Sequence, residues 1–90
     1  MKRIHIYVKG LVQGVFFRHN TIVHARELDL KGWVKNLIDG RVEILCEGSD
    51  ESVDKLVAWC KIGPIGAQVE EVEIQQEEVN NEFQNFEIIY

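Results

Sequence analysis

Residues 3 to 9, Arg-Ile-His-Ile-Tyr-Val-Lys, alternate without a break. Ile4, Ile6 and Val8 fall on one face of an extended strand, and Arg3, His5, Tyr7 and Lys9 on the other. A strand of that pattern is half-buried, so the sheet it belongs to is covered on one side. The period then changes. From Arg18 to Leu28 the residues Phe17, Thr21, Ala25 and Leu28 recur at helical spacing, and Asp29-Leu30-Lys31-Gly32 breaks the pattern. Trp33–Leu37 reads as a second strand, and Asp39-Gly40 is a two-residue hairpin signal. A third strand, Arg41–Glu47, alternates Val42, Ile44 and Cys46 against Glu43, Leu45 and Glu47. Ser49 and Asp50 start a second helix that ends near Lys61, with Glu51 and Asp54 in its first turn. After the loop Gly63-Pro64-Ile65-Gly66 come two more strands, Gln68 to about Gln75 and Phe83 to Tyr90, separated by a polar stretch. The order is β-α-β-β-α-β-β, with too few helices to cover both faces of a sheet. That is the α+β, split βαβ or ferredoxin-like plan: a mostly antiparallel sheet with both helices on one face.

Ninety residues make one expected domain, 1–90, large enough for a modest core. No run is long and apolar enough to span a membrane, and Met1–His5 leads into a charged strand, so the expected address is the cytoplasm. The net charge of −5 argues against a general nucleic-acid binder. The charge is unevenly spread. Residues 1–35 hold seven Lys and Arg against Glu27 and Asp29, whereas residues 36–90 hold three cations against thirteen carboxylates. An anion is therefore drawn to the first third of the chain. Cys46 and Cys60 are too few for a disulfide framework and fall on apolar stripes, where they read as small core residues far enough apart that no bridge is expected.

The first third also contains Gly10-Leu11-Val12-Gln13-Gly14-Val15-Phe16-Phe17-Arg18, at the junction of the first strand and first helix. Gly10 and Gly14 can take positive φ, and successive inward N–H groups in such a turn form an anion nest. The following helix adds partial positive charge at its head, and Arg18 supplies a planar fork matched to phosphate oxygens. Asn36 closes the second strand just before the hairpin, although asparagine is depleted in strands. It reads either as a neutral donor and acceptor that orients water or as an ordinary hairpin-flanking polar residue. Other chemistries lack parts. His5, His19 and His24 form no metal-binding spacing, no G-x-S-x-G is present, and both cysteines look buried. His19, next to Arg18, reads either as a residue that brushes a ligand or as a solvated helix residue, and Trp33, Trp59, Phe83 and Phe86 read as packing.

Two segments, Gly10-x-Val12-Gln13-Gly14-Val15-x-Phe17-Arg18 and Gly32-Trp33-Val34-Lys35-Asn36-Leu37-x-Asp39-Gly40-x-Val42-Glu43, closely resemble the two signatures of the acylphosphatase family. The resemblance extends to Gly63-Pro64 and to Phe83-x-x-Phe86-x-Ile88. It implies hydrolysis of an acyl phosphate to a carboxylate and inorganic phosphate, with no metal and no cofactor. By the same resemblance Arg18 is the phosphate-binding arginine, Asn36 positions the attacking water, and the backbone of Leu11, Val12, Gln13, Gly14 and Val15 cradles the phosphoryl oxygens. Inorganic phosphate is then both product and competitive ligand, and the chain is expected to act as a monomer without nucleic acid or membrane. Three positions depart from the commonest family pattern: Leu11 is often basic, Phe16 is often glycine though phenylalanine also occurs, and Asp29 stands where glycine usually ends the first helix.

The main rival is an RNA-binding module on the same plan. Ile6-Tyr7-Val8-Lys9-Gly10-Leu11 resembles the first-strand motif of RNA recognition domains, yet Arg41–Glu47 lacks the aromatics their third strand requires. A second rival is a non-catalytic or carbamoyl-phosphate-processing acylphosphatase-like module of the kind found within hydrogenase maturation factors.

Overall fold

The computed structural model describes residues 1–90. The elements follow in the order β1 (Lys2–Leu11), α1 (Phe17–Glu27), β2 (Lys31–Asn36), β3 (Val42–Gly48), α2 (Asp50–Cys60), β4 (Gln68–Glu77) and β5 (Phe86–Ile88). The strands form one sheet in the order β4-β1-β3-β2-β5. β1 pairs antiparallel with β3 and β4, β2 antiparallel with β3, and only β5 runs parallel, alongside β2. This is the split βαβ, ferredoxin-like arrangement, with a short fifth strand added at one edge. No helix is long and apolar enough to cross a membrane.

The core lies between the sheet and the two helices. Ile4, Ile6 and Val8 of β1 meet Val42, Ile44 and Cys46 of β3, with Phe17 and Ala25 of α1 and Val53, Leu56 and Cys60 of α2 against them. Burying a large apolar side chain contributes roughly 1.5–3 kcal/mol. Thr21, fully buried on the same stripe of α1, satisfies its hydroxyl by donating to the Phe17 carbonyl at 2.8 Å. Leu28 only borders the core, because the helix ends at Glu27 and Asp29 turns the chain with φ 57°. Both cysteines are buried and unbridged; burial pushes the Cys46 thiol up to about 12 and raises that of Cys60 as well.

The two helix starts differ in a way that bears on function. At α2 the Ser49 side chain accepts from the Ser52 N–H at 3.2 Å, and Asp50 and Glu51 occupy the first turn. That is an ordinary closed start. At α1 the capping position is Phe16 in the left-handed region, no side chain caps the turn, and no acidic residue lies in it.

The face of the sheet away from the helices departs from the expected polar, solvated surface. Glu43, Leu45 and Glu47 were expected outside, yet every residue of β3 is buried. β3 is the central strand, and the connection from β4 must pass from one edge of the sheet to the other to reach β5. It does so over the outer face. The Asn80 and Asn81 N–H groups donate to the Glu47 carboxylate at 3.2 and 2.9 Å, and Arg3 stacks 5.3 Å from the Phe83 ring. The predicted last strand, Phe83–Tyr90, is accordingly reduced to Phe86–Ile88, because its first residues belong to this crossing.

On the same face His5 places one ring nitrogen against Glu43 and the other 2.9 Å from Glu77. The hydrogen bond from His5, supported by Arg3, holds the Glu77 carboxyl below its ordinary value against the opposing effect of desolvation. A carboxyl that is a stronger acid when folded stabilises the fold above the ordinary glutamate range. That contribution fades as pH falls through the lower, folded-state value. Glu77→Gln should therefore melt below the parent at neutral pH, with the gap closing in acid. Thermal melts at a series of pH values measure this, and a gap that is constant with pH would contradict it.

Candidate active site

The segment between β1 and α1 is built by two buried anchors. Val12 is 1% exposed in the core, and Val15 packs against the core from a partly buried position. With these side chains turned inward, the backbone between them is left at the surface. Gly10 lies at a register shift between β1 and β4 with φ 136°, where a Cβ would sit 2.1 Å from the Gln68 carbonyl oxygen. Only glycine lets the strand bend there. Gly14 has φ 75° and open space around it, so its requirement is conformational and not steric.

None of the N–H groups of residues 12 to 16 donates to a backbone carbonyl or to a side chain. The first internal bond of the helix runs from the Asn20 N–H to the Phe16 carbonyl at 3.0 Å, so the N–H groups of the preceding turn extend the same set of open donors. Phe16 holds φ 61° and ψ 25°, a left-handed conformation that costs a residue bearing a Cβ about 1 kcal/mol. The Asn20 side chain, donating to the Phe16 carbonyl at 2.9 Å, helps to hold it there.

A cavity of about 250 Å³ opens at this helix head. Val12, Gly14, Phe16, Phe17, Arg18 and His19 line one side, and Asn36 from β2 and Ile88 from β5 line the other. Arg18 is half-buried and forms no salt bridge or hydrogen bond; its guanidinium lies 5.4 Å from the centre of the Tyr90 ring. Eleven cation–carboxylate pairings involving side-chain or terminal cations occur in the protein, as at Arg3–Glu82 and Arg41–Asp39, and none of them involves Arg18. The Asn36 amide likewise makes no side-chain hydrogen bond within the protein.

The structure thus brings together Arg18, Asn36, Val12 and Gly14 from the sequence-derived set. Leu11 differs: it is the last residue of β1, pairs with Gln68, and its side chain is exposed outside the cavity. Gln13 and Val15 contribute backbone to the loop, and their side chains turn away. The Gln13 side chain has a role that sequence reading missed. Its Nε2 donates to the carbonyls of Leu37 and Arg41, at 2.7 and 3.0 Å, and so clips the loop to the hairpin just beyond Asn36. No local signal could have found a contact across 24 and 28 residues. Gln13→Ala removes both bonds, each worth about 1 kcal/mol, and should lower kcat/KM by about tenfold while leaving the fold intact. Steady-state kinetics with a thermal melt would separate the two effects, and unchanged kinetics would contradict the clip.

A larger cavity of about 530 Å³ lies on the outer face of the sheet beside Tyr7 and Lys9. Its Arg41 is paired with Asp39 at 2.9 Å and stacked 4.9 Å from the Tyr7 ring, and Glu70, Glu71 and Glu73 line the same space. That surface repels an anion, whereas the smaller cavity attracts one. Nowhere do three or more His, Cys, Asp or Glu side chains converge as metal ligands do.

Comparison with known proteins gives the family and the fold. The Acylphosphatase family model matches residues 4–88. The sequence is 48% identical over 90 residues to an acylphosphatase of Syntrophus aciditrophicus, covering all of this chain and 94% of that one. It is 50% identical over 88 residues to an acylphosphatase of Pyrobaculum islandicum, covering 97% and 93% of the two chains. The fold superposes on the crystal structure of acylphosphatase from Bacillus subtilis with a TM-score of 0.96, at 37% identity and over the full length of both chains.

Proposed function

Because the chain belongs to the acylphosphatase family, we propose that Arg18 and the open backbone N–H groups of residues 12 to 16 bind the phosphoryl group of the substrate while Asn36 orients the water that attacks it. The overall reaction is that of the family, hydrolysis of small-molecule acyl phosphates. In the proposed mechanism the oxygen of water bonds to phosphorus as the bond from phosphorus to the carboxyl oxygen breaks. The products are a carboxylate and dihydrogen phosphate, both water protons ending on phosphate oxygens. A carboxylate is a stable leaving group, so no side chain needs to protonate it. Binding, in-line alignment and stabilisation of the equatorial oxygens can supply the rate. The substrate's own phosphoryl oxygens serve as the proton acceptor, which accounts for a mechanism without a side-chain base, metal or cofactor.

The observation that carries this reading is the pairing in one small cavity of a cation without a carboxylate partner and an amide without a protein partner, under a row of open N–H donors. The working unit in this reading is a monomer, with residues 1–90 acting as one domain. The buried, unbridged cysteines support the cytoplasm as its location. The deciding experiment is hydrolysis of a synthetic acyl phosphate with inorganic phosphate added. Turnover with competitive inhibition by phosphate, insensitive to chelator, is expected. Absence of turnover, or phosphate without effect on KM, would refute it.

A further inference from the structure

We propose that Phe16 is the surface against which the acyl group of the substrate packs, so that the site favours acyl phosphates with an apolar, planar acyl group. This rests on the acyl phosphate reading above and adds the substrate class to it. Phe16 lines the same cavity as Arg18 and Asn36, yet its side chain is 78% exposed. A large aromatic side chain gains little from folding when it is left in water, and here it also occupies a left-handed backbone position that glycine would take without strain. Asn20 fixes the Phe16 carbonyl through both its backbone and its side-chain nitrogen, so the ring is held at the rim by the helix it precedes. A strained, exposed aromatic held against a binding cavity calls for a ligand.

The composition of the cavity indicates which ligand. Once Arg18 and the open N–H groups are assigned to the phosphoryl oxygens, the remaining lining is apolar apart from His19 and Asn36. Ile88 faces the cavity from β5, and the Tyr90 ring lies beside the Arg18 guanidinium. No second Lys or Arg lines the cavity to receive a further anionic group on the acyl side. At about 250 Å³ it falls below the usual range of small-molecule pockets, which suits a phosphoryl group with a compact acyl group.

The test compares kcat/KM for benzoyl phosphate and acetyl phosphate in the parent, Phe16→Gly and Phe16→Tyr. Differences in intrinsic reactivity cancel when the benzoyl-to-acetyl ratio is compared between proteins. The ratio should fall about fivefold in Phe16→Gly, the scale of one aromatic contact, through a higher KM for benzoyl phosphate. It should be retained in Phe16→Tyr. Binding of inorganic phosphate reports whether each variant is folded. A ratio unchanged by Phe16→Gly would overturn this proposal alone, as would a loss of kcat shared equally by both substrates. Failure of the parent to hydrolyse either substrate would overturn the acyl phosphate reading with it.

Discussion

Arg18→Ala should lower kcat/KM for an acyl phosphate by about a thousandfold, the scale on which a single charge-stabilising group acts in phosphoryl transfer. The effect is expected to be this large because the cation has no carboxylate to neutralise it and faces the cavity from the head of α1. In a small, partly enclosed site its charge is screened less than it would be on the surface. The same isolation makes the variant a clean one. No buried carboxylate loses its partner, so the melting temperature should stay close to that of the parent. Arg18→Lys keeps the charge but not the planar fork, and should recover only part of the rate. Steady-state kinetics and a thermal melt on the three proteins measure this. Retained activity in Arg18→Ala would show that phosphate is held elsewhere, and a large loss of stability would mean that Arg18 supports the fold.

Asn36→Ala should lower kcat by about a hundredfold while inorganic phosphate still binds with nearly its original affinity. Asn36 stands across the cavity from the loop, at the end of β2, where its amide can both donate to and accept from a water molecule. In the proposed mechanism, removing it leaves the anion-binding donors in place and takes away the group that holds the nucleophile in line. Asn36→Asp is the informative companion. It retains the size of the side chain but adds negative charge beside the phosphate, and should weaken phosphate binding as well as turnover. Measuring kcat together with the inhibition constant for phosphate separates the outcomes. A lost phosphate affinity with normal kcat in Asn36→Ala would exchange the roles of Asn36 and the loop.

Much of the architecture was legible because its signals are local. The alternation of Ile4, Ile6 and Val8 determined which side of β1 is buried, and Ser49 with Asp50 and Glu51 marked the start of α2. The outer face was not legible. Glu47 reads as a solvent-facing strand residue, yet it lies 3% exposed beneath residues 80 and 81, because the crossing from β4 to β5 is a property of strand order and not of any neighbouring residue. The short β5 follows from the same cause: a polar stretch with little periodicity does not say where it will cross.

At the site the division is similar. The sequence by itself singled out the Gly10–Arg18 junction as the place for an anion to dock, since glycine spacing, the helix entrance and the uneven charge all lie within reach of one another along the chain. It also singled out Asn36 as a polar residue out of place in a strand. Only the tertiary structure decided that Asn36 faces Arg18 across one cavity, that Gln13 ties the loop to the hairpin beyond it, and that Phe16 and Ile88 form the apolar side. Those relations join parts of the chain far apart in sequence, and they exist because the register of a five-stranded sheet brings the end of β2 beside the head of α1. Local chemistry chose the groups; strand order set the distances between them.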